Sequence, residues 1–412
     1  MVQPGAEEHG VRGLGAHHQR VAQAVVSSDD MSLERRRRRV EAIVGELLGP
    51  LLSARPPPGG WRLASWDVEQ GICVTLARGD EWVLVELEDR DDGRPCYART
   101  RRFNVCAGPV LAPGQALGAG ARRAVDQLVE LVRRRETALP VLPREQAPRG
   151  SEVREILVDR VLIPQAPGHY YLNAYVGCMI GCEFCYVAER AELSRRLEGR
   201  AEVAWGRYVD VKVNAPEVLR REVAASPPGF VRMSPILTDP YQPLERTYRI
   251  TRQCLEVLLG TGFVPGVLTR AGRVREDAEL LARFPRAVVG ISIPTDDDAV
   301  RRAFEPGGDP VEERLAALEA CHRAGILTVA VIQPMLPMDP ERLAARLAPF
   351  VRAVRVDRMY GGERVRRLYE RAGRLDAMED EFFARTERAL RGALEARGVR
   401  LDPLDDFGPL LA

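Results

Sequence analysis

The chain has 412 residues, of which 45% are hydrophobic and 29% are charged, and its formal net charge is +1. This is ordinary globular composition, and the near-neutral balance gives no overall field that would draw the chain to nucleic acid or to a membrane. No apolar run reaches the roughly 18 residues that a membrane span needs. The length favours two domains, although a barrel can absorb much of it.

The N-terminal segment has none of the apolar core that marks a signal peptide. We interpret residues 1–30 as a disordered tail or a mis-assigned start, with Met31 as the true first residue. Eight cysteines in a chain of this size do not make a disulfide scaffold. Together with the missing export signal, they predict a reducing, cytoplasmic setting with no membrane partner.

Residues 31–136 are predicted to form a small α+β accessory domain. Residues 32–54 have the pattern of an amphipathic helix, and residues 121–136 predict a second one. Between them, apolar and polar residues alternate from Trp61 to Cys106, which predicts three or four antiparallel strands. The next segment is rich in proline and lacks a helical period, so residues 137–168 are interpreted as a linker and lead-in.

From residue 169 onwards, short apolar runs alternate with helical patterns. The six predicted strands lie in HYYLNAYVG, FVRMSPI, VPGVLT, AVVGISI, ILTVAVIQPM and VRAVRV. Repeated strand–helix units indicate a parallel sheet with crossover helices, so residues 169–360 predict an α/β fold, a partial (β/α)6 TIM-type barrel. Residues 361–412 are predicted to be a C-terminal helical segment that covers the side or end of this barrel.

Three cysteines stand close together in YVGCMIGCEFCYV, residues 175–187, with the spacing C-x3-C-x2-C at Cys178, Cys182 and Cys185. The loop follows the first predicted strand, at the rim where barrels of this type carry their chemistry. Thiolates at such spacing suit zinc or an iron–sulfur cluster. Structural zinc needs a fourth ligand, for which His169 is the candidate. A [4Fe–4S] cluster with one iron open to a ligand fits three cysteines on a glycine-bearing loop.

This cysteine motif, followed by an aromatic residue after the first strand of a β/α barrel, resembles the radical S-adenosylmethionine (SAM) superfamily. Four more segments resemble its spore photoproduct lyase-like branch: LTDPYQPLE, VLTRAGRV, ISIPTDD and RRAFEPGGDPVEERLAALEACHRAGI. The resemblance covers roughly residues 169–340. It implies an enzyme that cleaves SAM reductively at a [4Fe–4S] cluster and uses the resulting 5′-deoxyadenosyl radical to abstract hydrogen from a substrate.

The resemblance also implies roles for individual residues. Thr238 and Asp239 after the second strand, and Ser292 at the end of the fourth, would contact SAM. Arg270 stands where the lyase has a lysine expected to meet the SAM carboxylate, and a guanidinium can bind that group bidentately. Tyr186 is predicted to be a hydrogen or electron relay.

Two further segments bear on the same predicted site. Lys212, the one lysine in the chain, and Asn214 lie in YVDVKVNAPEVL, which is similar to a segment of the same branch. They are predicted to contact SAM or substrate, the alternative being a lysine on the surface of a hairpin. The triplet GGE at 361–363 follows the sixth predicted strand rather than the second, so it is interpreted as a loop.

The sequence departs from the lyase near the predicted site. The lyase carries a hydrogen-donating cysteine where this chain has Ile236, and Phe184 replaces the first of two tyrosines that flank the last cluster cysteine. These departures argue against repair of the spore thymine dimer and leave nucleic acid, a peptide or a small metabolite as the substrate. The electron would come from an external ferredoxin or flavodoxin, since no flavin motif is visible. The alternative function is a zinc or inert-cluster binding protein with a peptide or nucleic-acid recognition surface.

Overall fold

The computed structural model describes residues 33–52, 59–68, 71–89, 96–108, 117–138, 151–197, 203–359 and 362–401. The predicted tail at residues 1–30 lies outside these ranges. Among the described residues, no helix combines the length and the apolar character needed to cross a membrane.

The first described segments form a five-stranded antiparallel sheet with two helices. The elements are α1 (Leu33–Leu52), β1 (Arg62–Asp67), β2 (Ile72–Arg78), β3 (Glu81–Asp89), β4 (Ala98–Arg99), β5 (Phe103–Gly108) and α2 (Ala119–Arg135), followed by a 3-10 turn at Glu136–Ala138. The strand order is β1-β2-β3-β5-β4. Alternate residues such as Val83, Val85 and Leu87 point into a core shared with both helices. Both helices lie where the sequence predicts them, and the antiparallel sheet has five strands where three or four are predicted.

The segment predicted to be a linker contains two strands. β6 (Glu152–Ile156) pairs in parallel with β10 (Tyr208–Lys212), which also pairs antiparallel with β9 (Tyr175–Val176). β7 (Leu162–Ala166) is antiparallel to β8 (His169–Leu172) at the edge of the main sheet. Sequence patterns missed β7 because Pro164 breaks its apolar run; at a sheet edge, proline's missing N–H is tolerated.

The main sheet is parallel except for β7, and its order is β16-β15-β14-β13-β12-β11-β8-β7. Its remaining strands are β11 (Phe230–Met233), β12 (Val264–Thr269), β13 (Val288–Ser292), β14 (Leu327–Ile332), β15 (Ala353–Val356) and β16 (Arg400–Leu401). The strands β8 and β11 to β15 are the six predicted ones. The predicted α/β fold, a partial TIM-type barrel, is therefore confirmed, and β16 adds a short further parallel strand.

Helices connect the strands and cover the outer side of the sheet. They are α3 (Val187–Leu197), α4 (Ala215–Ala225), α5 (Glu245–Tyr248), α6 (Ile250–Leu258), α7 (Ala278–Leu281), α8 (Asp298–Phe304), α9 (Val311–Arg323), α10 (Pro340–Leu347), α11 (Gly362–Arg371) and α12 (Asp380–Glu395), with 3-10 turns at Gly272–Asp277, Ala348–Phe350 and Leu375–Met378. Strand residues such as Val289 and Ile291 pack with these helices, and Leu390 and Leu394 of α12 join the same core.

The end of the chain differs from one detail of the prediction. Gly362 and Glu363, interpreted as part of a loop, are the first residues of α11. The apolar residues Val365, Leu368 and Tyr369 of this helix pack against the cysteine loop. The C-terminal helices therefore cover both the barrel and the rim that carries the cysteines.

Candidate functional site

The three cysteines of the C-x3-C-x2-C motif open onto one pocket at the carboxyl ends of the parallel strands. Eight of the ten residues predicted for the site line it: Cys178, Cys182, Cys185, Tyr186, Thr238, Asp239, Arg270 and Ser292. They come from the cysteine loop, the segment after β11, and the ends of β12 and β13. Carboxyl ends of parallel strands meet at one rim of a barrel, which explains why residues so distant in sequence converge here.

The cysteine loop is held by backbone and side-chain hydrogen bonds. The backbone N–H groups of Asp239 and Ile180 donate to the sulfur of Cys178. The Oε1 atom of Gln242 accepts from the backbone N–H of Met179 at 3.3 Å. Gly177 has φ +89°, and a Cβ there would lie 2.4 Å from the carbonyl oxygen of Tyr208. The loop therefore reaches its conformation only with glycine at this position.

Burial changes the proton affinity of the thiols. It raises the pKa of Cys178 to about 12 and raises the pKa of Cys182 well above its usual value. In the metal-free chain both groups are consequently protonated at neutral pH. A metal ligand must be a thiolate, so binding of metal or of a cluster releases these protons.

The chemistry of the donor set, three thiols on one loop, fits an iron–sulfur cluster. Within the described ranges, no three His, Cys, Asp or Glu side chains converge closely enough to hold one metal ion. His169 begins β8, whereas the cysteines follow the opposite end of that strand. Tetrahedral zinc, with Zn–S bonds of about 2.3 Å, needs its thiolates packed around one ion. In a cluster each thiolate binds a different iron, so wider spacing is suitable.

Thr238 and Asp239 line the pocket, but their polar atoms hold neighbouring loops. Thr238 Oγ1 donates to the carbonyl of Gly177 at 2.7 Å. The carboxylate of Asp239 accepts from the backbone N–H groups of Tyr241 and Arg270, each at 2.9 Å, and from Thr269 Oγ1 at 2.5 Å. These bonds join the segment after β11 to the end of β12. Both residues therefore position the pocket wall, and their direct contact with SAM stays a prediction.

Arg270 belongs to a buried charge network that sequence patterns did not reveal. Its guanidinium pairs with Glu305 and lies over the ring of Phe184, 5.6 Å from the centroid. Glu305 also pairs with Arg314 at 2.6 Å, with both side chains fully buried, and Arg314 donates to the carbonyl of Ser292 at 3.1 Å. Burial would raise the pKa of Glu305, but the charges of Arg314 and Arg270 outweigh it and lower the pKa. The carboxylate of Asp239 also acts on Arg270, so the two arginines face two carboxylates, and the network holds a buried guanidinium at the pocket wall.

Several buried polar atoms also fit a bound ligand. Ser292 Oγ, Gln242 Nε2 and Trp205 Nε1 are buried, and none has a hydrogen-bond partner in the part of the chain that the structure describes. Ser292 and Trp205 line the pocket. Because buried polar atoms in native proteins are nearly always paired, these atoms are available to a polar ligand. Sequence reasoning missed Trp205 and Gln242, although Gln242 stands in the quoted segment LTDPYQPLE.

Lys212 and Asn214 are not among the residues that line this pocket, and their contact with SAM or substrate stays a prediction. Asn214 exchanges two hydrogen bonds with the backbone of Val158, at 2.9 and 2.7 Å. The side chain of Lys212 is fully buried, so it is not a hairpin surface residue. Both residues lie outside the pocket lining because β10 pairs with β6 and β9 rather than with a strand of the main sheet.

Gly307 of the segment FEPGGDP packs closely against the backbone of the cysteine loop. A Cβ at this position would lie 2.6 Å from the carbonyl oxygen of Ile180, which lies between Cys178 and Cys182. We expect Gly307→Ala to push this loop aside and to destabilise the protein by about 1–3 kcal/mol, the usual cost of overpacking. Thermal unfolding and iron content per chain measure the effect.

The matched control is Gly392→Ala in α12, where a Cβ meets nothing within 4 Å. This variant should be as stable as the parent or slightly more stable, because alanine favours a helix over glycine. Equal stability and iron content for the two variants would show that Gly307 does not constrain the loop.

The match to a known family covers the part of the chain that forms the barrel and the pocket. Residues 172–348 match the family model described as the Radical SAM superfamily. An uncharacterized protein of Methanocaldococcus jannaschii is 28% identical over 203 residues, which covers 48% of this chain and 74% of that protein. An uncharacterized protein of Mycobacterium tuberculosis is 30% identical over 199 residues, covering 46% of this chain and 57% of that one.

A third relative carries a functional name. The Radical SAM Nalpha-GlyT isomerase of Pseudomonas phage M6 is 26% identical over 247 residues, covering 57% of this chain and 48% of the isomerase. The chain thus spans about half of the phage and mycobacterial relatives. Among solved structures, spore photoproduct lyase complexed with dinucleoside spore photoproduct is 15% identical with a TM-score of 0.43, covering 60% of this chain and 81% of the lyase chain.

Proposed function

We propose that this protein is a radical SAM enzyme in which Cys178, Cys182 and Cys185 hold a [4Fe–4S] cluster, and the match of residues 172–348 to the radical SAM family model supports the proposal. The observation that carries the proposal is the convergence of these cysteines with Arg270 and Ser292 on one pocket at the strand ends. When bound, the cluster and SAM supply a reductive cleavage that yields a 5′-deoxyadenosyl radical able to abstract hydrogen from a substrate.

The residues around the pocket would bind and orient SAM. Arg270 carries the charge that suits the SAM carboxylate, and Glu305 with Arg314 fixes the direction of its guanidinium. The buried hydroxyl of Ser292 would bond the amino acid or ribose portion. The hydrogen bonds of Thr238 and Asp239 hold the surrounding loops in place, which would limit the movement of bound SAM.

The pocket also has an apolar wall that would exclude water from a radical. This wall is formed by Ile180, Phe184, Val187, Trp205, Leu268, Val331, Pro334 and Met359. Exclusion of water prevents side reactions of reactive intermediates. Tyr186 lies in the same lining and donates from its hydroxyl to the carbonyl of Pro235 at 2.7 Å, so its proposed role as a relay rests on position.

The substrate class stays open between nucleic acid, a peptide and a small metabolite. Among the residues that line the pocket, the cluster cysteines are the only thiols. Ile236, at the position of the lyase's donor cysteine, packs instead with Ile163 and Tyr171. This supports a reaction other than repair of the spore thymine dimer. The proposal includes an external electron donor, a ferredoxin or flavodoxin.

Purification and reconstitution without oxygen test the proposal. We expect a brown protein with about four irons per chain that converts SAM to 5′-deoxyadenosine when dithionite is added. The control omits the reductant, and SAM should then remain intact. A colourless protein that retains zinc, or an iron protein that leaves SAM uncleaved, would refute the assignment and favour the alternative of a metal-stabilised binding protein.

A further inference from the structure

Helix α3 connects the cysteine loop to the accessory sheet, defined here as β1 to β5. It begins at Val187, two residues after Cys185. Its residues Leu193 and Leu197 are buried in the core of the accessory sheet rather than in the barrel core. Helix α3 therefore packs with the accessory sheet, whose strands all precede residue 172, where the family match begins.

Arg190 on this helix makes a buried ionic contact with the accessory sheet. It is 8% exposed, and its guanidinium donates to Glu88 Oε1 from Nε at 2.7 Å and to Glu86 Oε2 at 3.0 Å. Burial would lower the pKa of Arg190, but the two carboxylates outweigh it and raise the pKa. The arginine is therefore charged throughout the range in which the protein is folded.

The same guanidinium also reaches the pocket wall. It lies over the ring of Tyr186, 5.7 Å from the ring centroid, and Tyr186 lines the pocket directly after Cys185. A guanidinium stacked on an aromatic ring while bonded to two carboxylates is held in one orientation. Arg190 thus joins three points: β3 of the accessory sheet, helix α3, and the last turn of the cysteine loop.

A second buried arginine fixes the other side of the helix. Arg195 is 2% exposed and pairs with Asp210 at 3.2 Å and with Glu152 at 3.0 Å, residues of β10 and β6. Its guanidinium also stacks on Tyr208, 4.0 Å from the ring centroid. With one arginine bound to each flanking sheet, α3 cannot shift without breaking a buried ion pair.

We propose that Arg190 is a positioning residue through which the accessory sheet holds Cys185 and Tyr186 in the geometry that the cluster requires. The inference rests on the proposed function, since it presumes a cluster on the three cysteines. It also gives the accessory domain a defined role, because Glu86 and Glu88 of its sheet anchor the far end of the cluster loop. Groups that orient metal ligands are commonly as important as the ligands themselves.

The test compares Arg190→Lys with the parent and with Arg134→Lys. Lysine keeps the charge, so no carboxylate is left buried and unpaired, but it loses the forked geometry and the stacking on Tyr186. We expect a chelator to remove iron from Arg190→Lys about tenfold faster, at the low end of the effects typical of such orienting groups. We also expect an altered electron paramagnetic resonance spectrum of the reduced cluster with SAM. Arg134→Lys, an exposed arginine paired with Glu130 on α2, should match the parent.

A second variant separates an effect on the cluster loop from a loss of folding. The triple change Glu86→Gln, Glu88→Gln and Arg190→Gln removes all three charges together, so that none of these three groups keeps its charge without the others. It should release iron as quickly as Arg190→Lys does.

The outcomes separate the two proposals. If the parent protein binds no cluster, the proposed function fails and this inference fails with it. If the parent binds a cluster and both Arg190 variants show its chelation rate and its spectrum, the inference alone is overturned. It is also overturned if these variants melt earlier but keep the parent's chelation rate and spectrum, because Arg190 would then stabilise the fold without positioning the cluster loop.

Discussion

Glu305→Gln is expected to lower the free energy of unfolding by about 3–5 kcal/mol, the cost of removing one partner from a buried ion pair. Glu305 is fully buried between Arg270 and Arg314, so its replacement removes the carboxylate with which both guanidinium groups pair. Urea denaturation of the cluster-free protein at neutral pH measures the change. Because Glu305 fixes the guanidinium of Arg270, the reconstituted variant should also bind SAM more weakly.

The pH dependence of stability provides a second readout of the same carboxylate. The pKa of Glu305 lies below its usual value of 4.5, because Arg314 and Arg270 outweigh the effect of burial. A lowered pKa in the folded state stabilises the protein fully above pH 4.5, and this stabilisation disappears as the pH falls through the folded-state value. Glu305→Gln lacks the carboxylate and should lose this part of the acid dependence.

Glu312→Gln is the matched control for both measurements. Glu312 pairs with Arg346 at 2.5 Å, but its side chain is 75% exposed. Exposed pairs contribute about 0–1 kcal/mol, so this variant should stay close to the parent. If Glu305→Gln were no less stable than Glu312→Gln, the buried network would not be the support of Arg270 that the distances indicate.

The part of the site that follows from local sequence was predictable. The three cysteines lie within eight residues, so their spacing is visible in the sequence. The six strands are indicated by short apolar runs that alternate with segments of helical period. Thr238, Arg270 and Ser292 each follow or end such a run, and the parallel topology then brings them to one rim. Their roles were predicted from the resemblance to the spore photoproduct lyase-like branch, and the parallel topology explains why they meet at one rim.

The contacts that hold the site depend on pairings that no local pattern contains. Glu305 and Arg270 are 35 residues apart, and neither the period of α8 nor the spacing of charges reveals that they meet. The place of Lys212 outside the pocket lining has the same cause, since the sequence does not show that β10 joins β6 instead of the main sheet. Leu193 and Leu197 read as ordinary helix residues, yet they complete the accessory core.

Cys182→Ala is expected to have the largest effect on the cofactor, reducing iron from about four per chain to near background. The thiolates of Cys178, Cys182 and Cys185 would each hold a different iron, so removal of one leaves a corner without its ligand. Formation of 5′-deoxyadenosine from SAM should fall below detection, while the far-ultraviolet circular dichroism should stay that of the parent. Iron analysis, visible absorption and product formation under reducing conditions measure the loss.

Cys321→Ala supplies the control because it removes an equally buried thiol from a different place. Cys321 lies on α9 in the main core, outside the pocket lining. Its replacement by alanine costs a little packing but should leave iron, colour and SAM cleavage at the parent's level. If Cys182→Ala kept its iron and cleaved SAM as Cys321→Ala does, the three cysteines would not be the ligands, and the chemistry assigned to this rim of the barrel would have to come from another set of residues.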